Sequence, residues 1–432
     1  MISFMKKLLL VMLLCFALTP FAFAEERTYE GVGEYVMSDF ETPDIAKQRA
    51  KSRAEQNAVE QAGVYVDSYT KSVNAIVVRD EITVITSGIL RVMETKYSFQ
   101  PIAEQGGSFV VQARIKAVID TKQVDDWLKQ NAQQKQQMME QTEELLRVTK
   151  ELEKENASLK QQLASAKTEQ AAAEVKAKIE EVDKKFLANE KRKEALKLIR
   201  AKDYNSGIVR LTEAIEMDPG NGLSYMNRGM AYFCIAMNQQ EPAWYAQALA
   251  DLNKAIELDP GGAHAWYFRG TIYFNQNKND QALTNLTKAI SLQPKSYMYS
   301  GRGLLYNRMQ QYSQAVADFT KAAELDPNTA ETYAGRALAF FMQARYDAAI
   351  ADCSKAISLK PDYTDMYAMR GVIYAKQEKA QEALSDFNKA LELNPQYSGE
   401  TYYNRGVVHR ALGHAQQAEA DFARARELGY KK

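Results

Sequence analysis

The stretch DLNKAIELDP at residues 251–260 decides the fold of most of this chain, because nearly the same letters return three more times. The later copies are DFTKAAELDP at 318–327, DCSKAISLKP at 352–361 and DFNKALELNP at 386–395. In each copy, apolar residues recur at helical spacing and a proline then ends the helix. The recurrence predicts an array of helical repeats.

Each copy is the second half of a longer unit that has a small residue at position 8 and a proline at position 32. The alignment gives full repeats near 222–262, 263–295, 296–329, 330–363, 364–398 and 399–432, after a degenerate leading unit over 188–221. This pattern resembles the tetratricopeptide repeat (TPR). The resemblance implies paired helices A and B that stack into an α-solenoid, because no pair buries its apolar face alone.

Composition limits the remaining possibilities. The chain has 432 residues, with 55 Lys and Arg against 55 Asp and Glu, so more than one domain is expected. A protein without a basic excess is poorly suited to the phosphate backbone, and we expect no nucleic-acid partner.

The first 24 residues have the pattern of a secretory signal peptide. Lys6 and Lys7 precede the apolar run LLLVMLLCFAL, and Ala22-Phe23-Ala24 is a small-residue cleavage site. We therefore expect cleavage after Ala24 and export to the periplasm or outer cell envelope of a bacterium. No later apolar run is long enough to span a bilayer, so no membrane span is expected after cleavage.

Residues 25–127 predict a small α+β domain in the order strand, helix, strand, short helix, hairpin. Thr42 and Pro43 mark the start of the helix, and alanines recur at every fourth residue from Ala46 to Ala62. Gly63 is interpreted as its end, VYVDSYT (64–70) as a strand and EITVITS (81–87) as the short helix. Residues 88–100 and 109–119 then alternate as strands around a turn at 104–107.

This domain resembles the N-terminal domain of flagellar assembly protein T and a related family of small envelope lipoproteins. The resemblance rests on GVGEYV (31–36), EQAGVYVDSYT (60–70) and RDEITVITSGIL (79–90). It implies a domain that docks onto cell-envelope components and carries no catalytic residue.

Residues 128–187 form a Gln-, Glu-, Lys- and Ala-rich segment with a heptad pattern. Leu145, Leu152 and Leu159 fall at one heptad position, and Asn156 falls at the other core position. A buried Asn at this position favours a parallel, in-register dimer, so 138–166 predicts a coiled-coil homodimer. The alternative is a single solvated helix that separates the two flanking domains.

Two expectations concern chemistry within the array. Position 7 is arginine in all six full repeats, and position 23 is aspartate in every repeat except for Asn285, which predicts a ladder of Arg–Asp pairs between helices. No nucleophile, metal-ligand or phosphate-loop motif is present in the sequence, so we expect no catalytic residues, no metal, no cofactor and no enzymatic activity.

The candidate binding site is the concave face of the array, which positions 2, 5, 9, 12 and 13 of helix A would line. Position 5 lacks the lysine of carboxylate-clamping TPR proteins, so an amphipathic helix or extended apolar peptide is the expected partner. The alternative is a groove filled by tight curvature or by the helix over 186–200. The candidate groove residues are Met226, Met230, Phe233, Tyr267, Phe274, Asn275, Tyr297, Leu304, Asn307, Arg308, Phe341, Met342 and Tyr403.

The first full repeat carries seven extra residues, which predict an enlarged loop over 237–247 with Trp244 folded back on its own repeat. Together these patterns predict an exported, non-catalytic scaffold. The alternative is a structural component of a flagellar or other envelope ring or secretion assembly.

Overall fold

The computed structural model describes residues 26–38, 40–72, 82, 85–87, 89–102, 108–128, 132–239 and 242–431. The predicted signal peptide and the turn at 104–107 lie outside these residues. The chain divides into two compact units. One contains the N-terminal domain and the helices up to Asn189, and the other contains the residues from Glu190 onward together with the short stretch Asn131–Gln133.

The first unit contains an antiparallel sheet packed against a long helix. Its elements are β1 (Glu26–Met37), α1 (Pro43–Ser72), β2 (Arg91–Pro101), β3 (Phe109–Asp120), α2 (Thr121–Leu128), α3 (Ala132–Ala164) and the greater part of α4 (Glu169–Arg200). The strand order is β1-β3-β2, so β3 is central and pairs with both neighbours. The strands expected over 88–100 and 109–119 are confirmed as β2 and β3.

Helix α1 lies directly on β1 because both surfaces are made of small residues. A Cβ atom added to Gly33 would lie 2.2 Å from the Ala50 carbonyl oxygen, and one added to Gly31 would lie 2.0 Å from that of Ala54. The alanines at every fourth residue from Ala46 to Ala62 are fully buried. The predicted alanine stripe against the sheet is therefore confirmed.

The strand expected over 64–70 is wrong, because α1 continues through it to Ser72. The four-residue stripe of α1 runs on through Val66 and Thr70, which are 0% and 1% exposed on the same helix face. Packing of this stripe outweighs the β-propensity of the valines and tyrosines and the flexibility of Gly63. The short helix expected over 81–87 lies largely outside the described residues, although Ile82 and Ile85 are buried in this core.

The heptad segment also differs from expectation, because it is neither a single stalk nor an exposed seam. Helix α3 ends at Ala164, and α4 runs back antiparallel to it as a hairpin, with Asn156 contacting Asp183 and Leu145 contacting Asn189. Leu152 and Leu159 pack against Ile179, Val182 and Phe186 of the same chain.

The residues assigned to a dimer seam are therefore buried within one chain. Leu145, Leu152, Leu159 and Asn156 are between 2% and 8% exposed. The carbonyl oxygen of Leu145 faces Asn189 of α4 at 3.4 Å. In the structure these residues thus make an intrachain contact, and the parallel homodimer through 138–166 stays a prediction.

The second unit is a stack of helix pairs, continuing from the end of α4. Its helices are α5 (Tyr204–Met217), α6 (Gly222–Gln239), α7 (Pro242–Leu258), α8 (Ala263–Asn275), α9 (Asn279–Leu292), α10 (Ser296–Arg308), α11 (Tyr312–Leu325), α12 (Ala330–Met342), α13 (Tyr346–Leu359), α14 (Thr364–Lys376), α15 (Ala380–Leu393), α16 (Gly399–Ala411) and α17 (Ala415–Glu427). Helices α6, α8, α10, α12, α14 and α16 are the A helices, and each following helix is its B helix. The mostly helical fold and the C-terminal solenoid predicted from the repeats are confirmed.

The inserted residues of the first repeat lengthen helices rather than enlarging a loop. Helix α6 has 18 residues and α7 has 17, whereas the later A and B helices have 13 or 14. Pro242 begins α7, a position at which its missing N–H costs nothing. Trp244 stacks on Tyr232 with ring centroids 5.7 Å apart, so its predicted packing on its own repeat is confirmed. Among the described helices, none is long and apolar enough to cross a membrane.

Candidate peptide-binding groove

Close packing of small residues sets the A helices side by side. A Cβ atom on Gly335 would lie 2.3 Å from Phe319 Cζ, so only glycine fits there without a shift. Neighbouring A helices then meet directly: Ser300 Oγ lies 3.0 Å from Thr332 Oγ1, and Asn307 Nδ2 donates to the Gly335 carbonyl at 2.8 Å. The face that these helices share is therefore a continuous surface.

The predicted Arg–Asp ladder is present and also joins neighbouring repeats. Arg302 donates from Nε and Nη2 to both carboxylate oxygens of Asp318, at 2.7 and 2.8 Å. Its Nη1 donates to Thr287 of the preceding repeat at 3.1 Å. The same two-pronged contact joins Arg228 to Asp251, Arg336 to Asp352, Arg370 to Asp386 and Arg405 to Asp421. Each arginine thus fixes its A helix against two B helices.

The rung at Asn285 lacks the charge of the others. Arg269 Nε donates to Asn285 Oδ1 at 2.8 Å, and its Nη1 donates to Asn253 at 2.7 Å. Burial lowers the pKa of Arg269, whereas the hydrogen bond that Arg302 donates to Asp318 raises the pKa of Arg302. The contact between Arg269 and the neutral Asn285 therefore offsets less of the desolvation free energy of the arginine than an Arg–Asp pair does.

The exposed part of the predicted groove lies in the third and fourth full repeats. Leu304 and Met342 are 48% and 50% exposed, large values for apolar side chains on a folded surface. Leu338 is 36% exposed and was missed by the sequence prediction. The sequence signal for Leu338 is its position 9 in helix A, which is also the position of Leu304 and one of the five predicted groove positions.

Other predicted groove residues lie beneath the surface. Met226, Met230 and Tyr297 are 7%, 8% and 6% exposed, so they are part of the packing rather than of a contact face. The half-buried members are Phe233, Tyr267, Phe274, Asn275, Asn307, Arg308, Phe341 and Tyr403.

Several half-buried members are already held by contacts within the array. Arg308 covers the Phe274 ring at 3.7 Å from the centroid and donates to the Phe274 carbonyl at 2.6 Å. Tyr403 packs on Tyr430 with centroids 5.0 Å apart, which turns the C-terminal residues back onto the last repeat. These groups shape the groove walls and are less free to reach a partner than Leu304 and Met342.

The array matches known repeats in sequence. The family model described as tetratricopeptide repeat matches residues 263–296, 296–329, 330–363 and 365–397. The array is a TPR solenoid. No curated protein matches the chain. The family-model matches lie in the array, and the resemblance of the N-terminal domain to flagellar assembly protein T has no support from the comparisons.

Among the solved structures that match this chain are YrrB, PilW and a tetratricopeptide repeat protein. YrrB, described as a TPR protein with an unusual peptide-binding site, is 23% identical, with 43% of this chain and 93% of YrrB covered and a TM-score of 0.37. The tetratricopeptide repeat protein, from Parabacteroides merdae, is 22% identical, with coverage of 57% and 94% and a TM-score of 0.42. PilW, a type IV pilus biogenesis factor, is 21% identical, with coverage of 47% and 95% and a TM-score of 0.42. At these identities and scores the likeness carries no argument about function.

Proposed function

We propose that this protein is an exported, non-catalytic scaffold that binds a protein or peptide partner through the concave face of its TPR array. The observation that carries the binding role is the group of exposed apolar side chains Leu304, Leu338 and Met342 on neighbouring A helices. Contiguous exposed apolar side chains on a folded protein mark interaction surfaces. An amphipathic helix or extended apolar segment of a partner would cover them.

The ladder supports this role by holding the groove in one shape before binding. Each rung fixes an A helix against its own B helix and the preceding one, so the exposed leucines do not need to be ordered when the partner arrives. A preorganised surface loses less entropy on binding than a mobile one.

The binding role is tested by crosslinking in intact cells with three forms of the chain. Leu304→Glu/Met342→Glu should lose the crosslinked partner, because two charges then face its apolar segment. Leu325→Glu is the matched control, since Leu325 is 46% exposed at the end of α11, outside the five groove positions. Equal recovery of the same partner by all three forms would contradict the proposal.

Export and envelope docking are supported by the sequence of residues 1–24 and by the resemblance of the N-terminal domain to envelope proteins. In this proposal the N-terminal domain docks on an envelope component while the array recruits the partner. Cell fractionation of the full chain and of a form without 2–24 tests export: the full chain should lie outside the cytoplasm and the truncated chain inside it.

The same resemblance motivates the second candidate, a structural component of a flagellar or other envelope ring or secretion assembly. The two roles differ in stoichiometry. A structural component should co-purify in fixed ratio with a large complex, whereas a recruiting scaffold should be recovered in a lower and variable ratio.

A further inference from the structure

One edge of the concave face in the last three repeats is acidic. Glu331, Asp365 and Glu400 occupy position 2 of α12, α14 and α16, and all three are exposed. Lys360 Nζ lies 4.0 Å from Glu331, but both side chains are almost half exposed, so the pair is weak. The hydroxyl of Tyr397 donates to Asp365, which fixes that carboxylate in place while leaving its charge.

The opposite edge is basic. Lys376 and Arg410 lie in the last turns of α14 and α16, at positions 13 and 12. Lys376 and Arg410 are exposed, and Lys376 Nζ lies 6.0 Å from the Phe341 ring centroid. Positions 2, 9 and 13 of a helix share one face, so both edges border the same surface.

The surface between the two edges is apolar, and at position 5 its side chains are small. Position 5 holds Ala334 and Ala368, where the second and last repeats have tyrosine. Position 9 holds the exposed Leu338 and the half-buried Val372. Small residues beside an exposed leucine leave room for the side chains of an incoming segment.

Helix dipoles favour the same signs of charge at the two ends of each A helix. An acid in the first turn and a base in the last turn both stabilise a helix. In the last three repeats, the A helices α14 and α16 have a base in the last turn and α12 has none, and among the B helices of these repeats α17 has bases there and α13 and α15 have none. The basic edge thus consists of Lys376 and Arg410, in the A helices of the fifth and sixth repeats.

We propose that the fourth to sixth full repeats bind an amphipathic helix whose apolar stripe has basic residues along one flank and acidic residues along the other. This inference rests on the proposed groove function and names the chemistry of its partner. The basic flank of the partner would lie along Glu331, Asp365 and Glu400, and its acidic flank along Lys376 and Arg410.

The spacing of the repeats sets the spacing of the partner's charges. Packed helices lie about 8–10 Å apart, so charges of one edge recur at about that interval. A helix rises about 1.5 Å per residue, so seven residues span about 10.5 Å. The partner charges should therefore recur at about every seventh residue, as in a heptad pattern. Because reversing a helix exchanges its flanks, the two edges also set the direction in which the partner lies.

The test uses three designed helical peptides of about 21 residues, or three heptads, that share one leucine stripe. One carries Lys on one flank and Glu on the other, the second carries Lys on both, and the third carries Glu on both. Fluorescence anisotropy titrations with the full chain should show the mixed peptide binding about tenfold tighter than either other peptide, since each of those meets one edge of like charge. This advantage should shrink at about 1 M salt, where the Debye length falls to about 3 Å.

Charge reversal provides the decisive variant. In Glu331→Lys/Asp365→Lys/Glu400→Lys both edges are basic, so the peptide with Glu on both flanks should become the tightest ligand. This gain of affinity also shows that the variant is folded. The control Glu257→Lys/Glu324→Lys/Glu392→Lys changes the net charge equally at exposed positions of B helices and should keep the original order.

The outcomes separate this inference from the groove function. Equal affinity of the three peptides, abolished by Leu338→Glu, would overturn the charge selectivity and leave the groove in place. Binding by none of the peptides would count against both. An unchanged order in the charge-reversed variant would also overturn the inference.

Discussion

Both compact units are held together by arginine–carboxylate contacts, but the two kinds of contact differ in burial. In the first unit, Arg49 Nη2 lies 2.6 Å from Asp183 Oδ1, and the two side chains are 1% and 3% exposed. In the array, Arg336 pairs with Asp352 at 2.7 Å, and these side chains are 18% and 8% exposed. Water therefore reaches the ladder and is largely excluded from the pair in the first unit.

The buried pair belongs to a larger polar cluster that joins the N-terminal domain to the helical hairpin. Asn156 Nδ2 donates to Asp183 at 3.2 Å, and Lys160 Nζ donates to Glu41 at 2.7 Å and to the Tyr35 hydroxyl at 2.8 Å. The members of this polar cluster are Tyr35, Glu41, Arg49, Asn156, Lys160 and Asp183. Two cations balance two carboxylates in it.

Burial acts against the charges of the polar cluster, and their partners act to keep them. Burial lowers the pKa of Lys160, while its hydrogen bond to Glu41 raises it. Burial raises the pKa of Asp183, while the hydrogen bond from Arg49 lowers it. A buried charge that loses its partner has no other group to stabilise it, whereas an exposed charge is then stabilised by water. Loss of one member should therefore cost far more in the polar cluster than in the ladder.

The largest expected effect is that of Asp183→Ala. It leaves the Arg49 guanidinium buried without its carboxylate, which should lower the free energy of unfolding of the first unit by about 3–5 kcal/mol. Hydrogen exchange of amides in α1 and α3 measures this separately from the array. The control is Glu181→Ala on the same helix, whose pair with Lys185 is exposed and should contribute little. Similar losses of unfolding free energy in both variants would contradict the expectation that the buried pair contributes more stability than the exposed pair.

Asn156→Leu comes next and separates the hairpin from a dimer seam. In the hairpin it removes hydrogen bonds with Tyr35 and Asp183, so the first unit should lose about 1–3 kcal/mol. In a parallel coiled coil the same change would increase stability and relax the oligomeric state. Hydrogen exchange and light scattering together measure both quantities, with Glu155→Gln at the adjacent exposed position as control. A more stable variant with a higher mass would support the dimer instead.

The sequence predicts the ladder but not the polar cluster, and repetition is the reason. Arginine and aspartate recur together at fixed positions in five of the six full repeats, so the same pair is seen five times within one chain. The polar cluster occurs once, and its members come from β1, the residues before α1, α1 itself, α3 and α4. Asn156 alone fits a coiled-coil seam equally well, and only the fold shows that α4 supplies its partner.

The exposure of the candidate groove residues is predictable only in part, for a similar physical reason. Repeat positions identify which residues share a helix face, but exposure depends on what lies above that face. Met230 and Leu304 both occupy position 9, yet they are 8% and 48% exposed. The strand predicted over 64–70 is wrong because the β-propensity of these residues is a local property. The helix there is stabilised by packing of the buried stripe that continues through Val66.

Asp352→Asn is expected to have a smaller effect than either change in the polar cluster. It converts a charged rung into the neutral kind already present at Arg269 and Asn285, and one two-pronged contact becomes a single hydrogen bond. Since the rung is partly solvated, the array should lose about 1–2 kcal/mol, measured by hydrogen exchange of α12 and α13. Asp362→Asn at an exposed site of the following loop is the control. A loss as large as that of Asp183→Ala would show that solvent does not protect the ladder.

The smallest expected effect is the reverse change, Asn285→Asp. It should give Arg269 a second acceptor and an opposite charge, and it also removes the hydrogen bond that Asn285 Nδ2 donates to the Gln281 carbonyl at 2.7 Å. A charged hydrogen bond exceeds a neutral one by about 1 kcal/mol, so the net gain should be about 0.5–1 kcal/mol. Slower hydrogen exchange in α8 and α9 measures it, and Asn328→Asp at an exposed position of the loop after α11 serves as control. A loss of stability would mean that asparagine is more favourable than aspartate at position 285. In that case the free-energy cost of burying the carboxylate would exceed the gain from its interaction with Arg269.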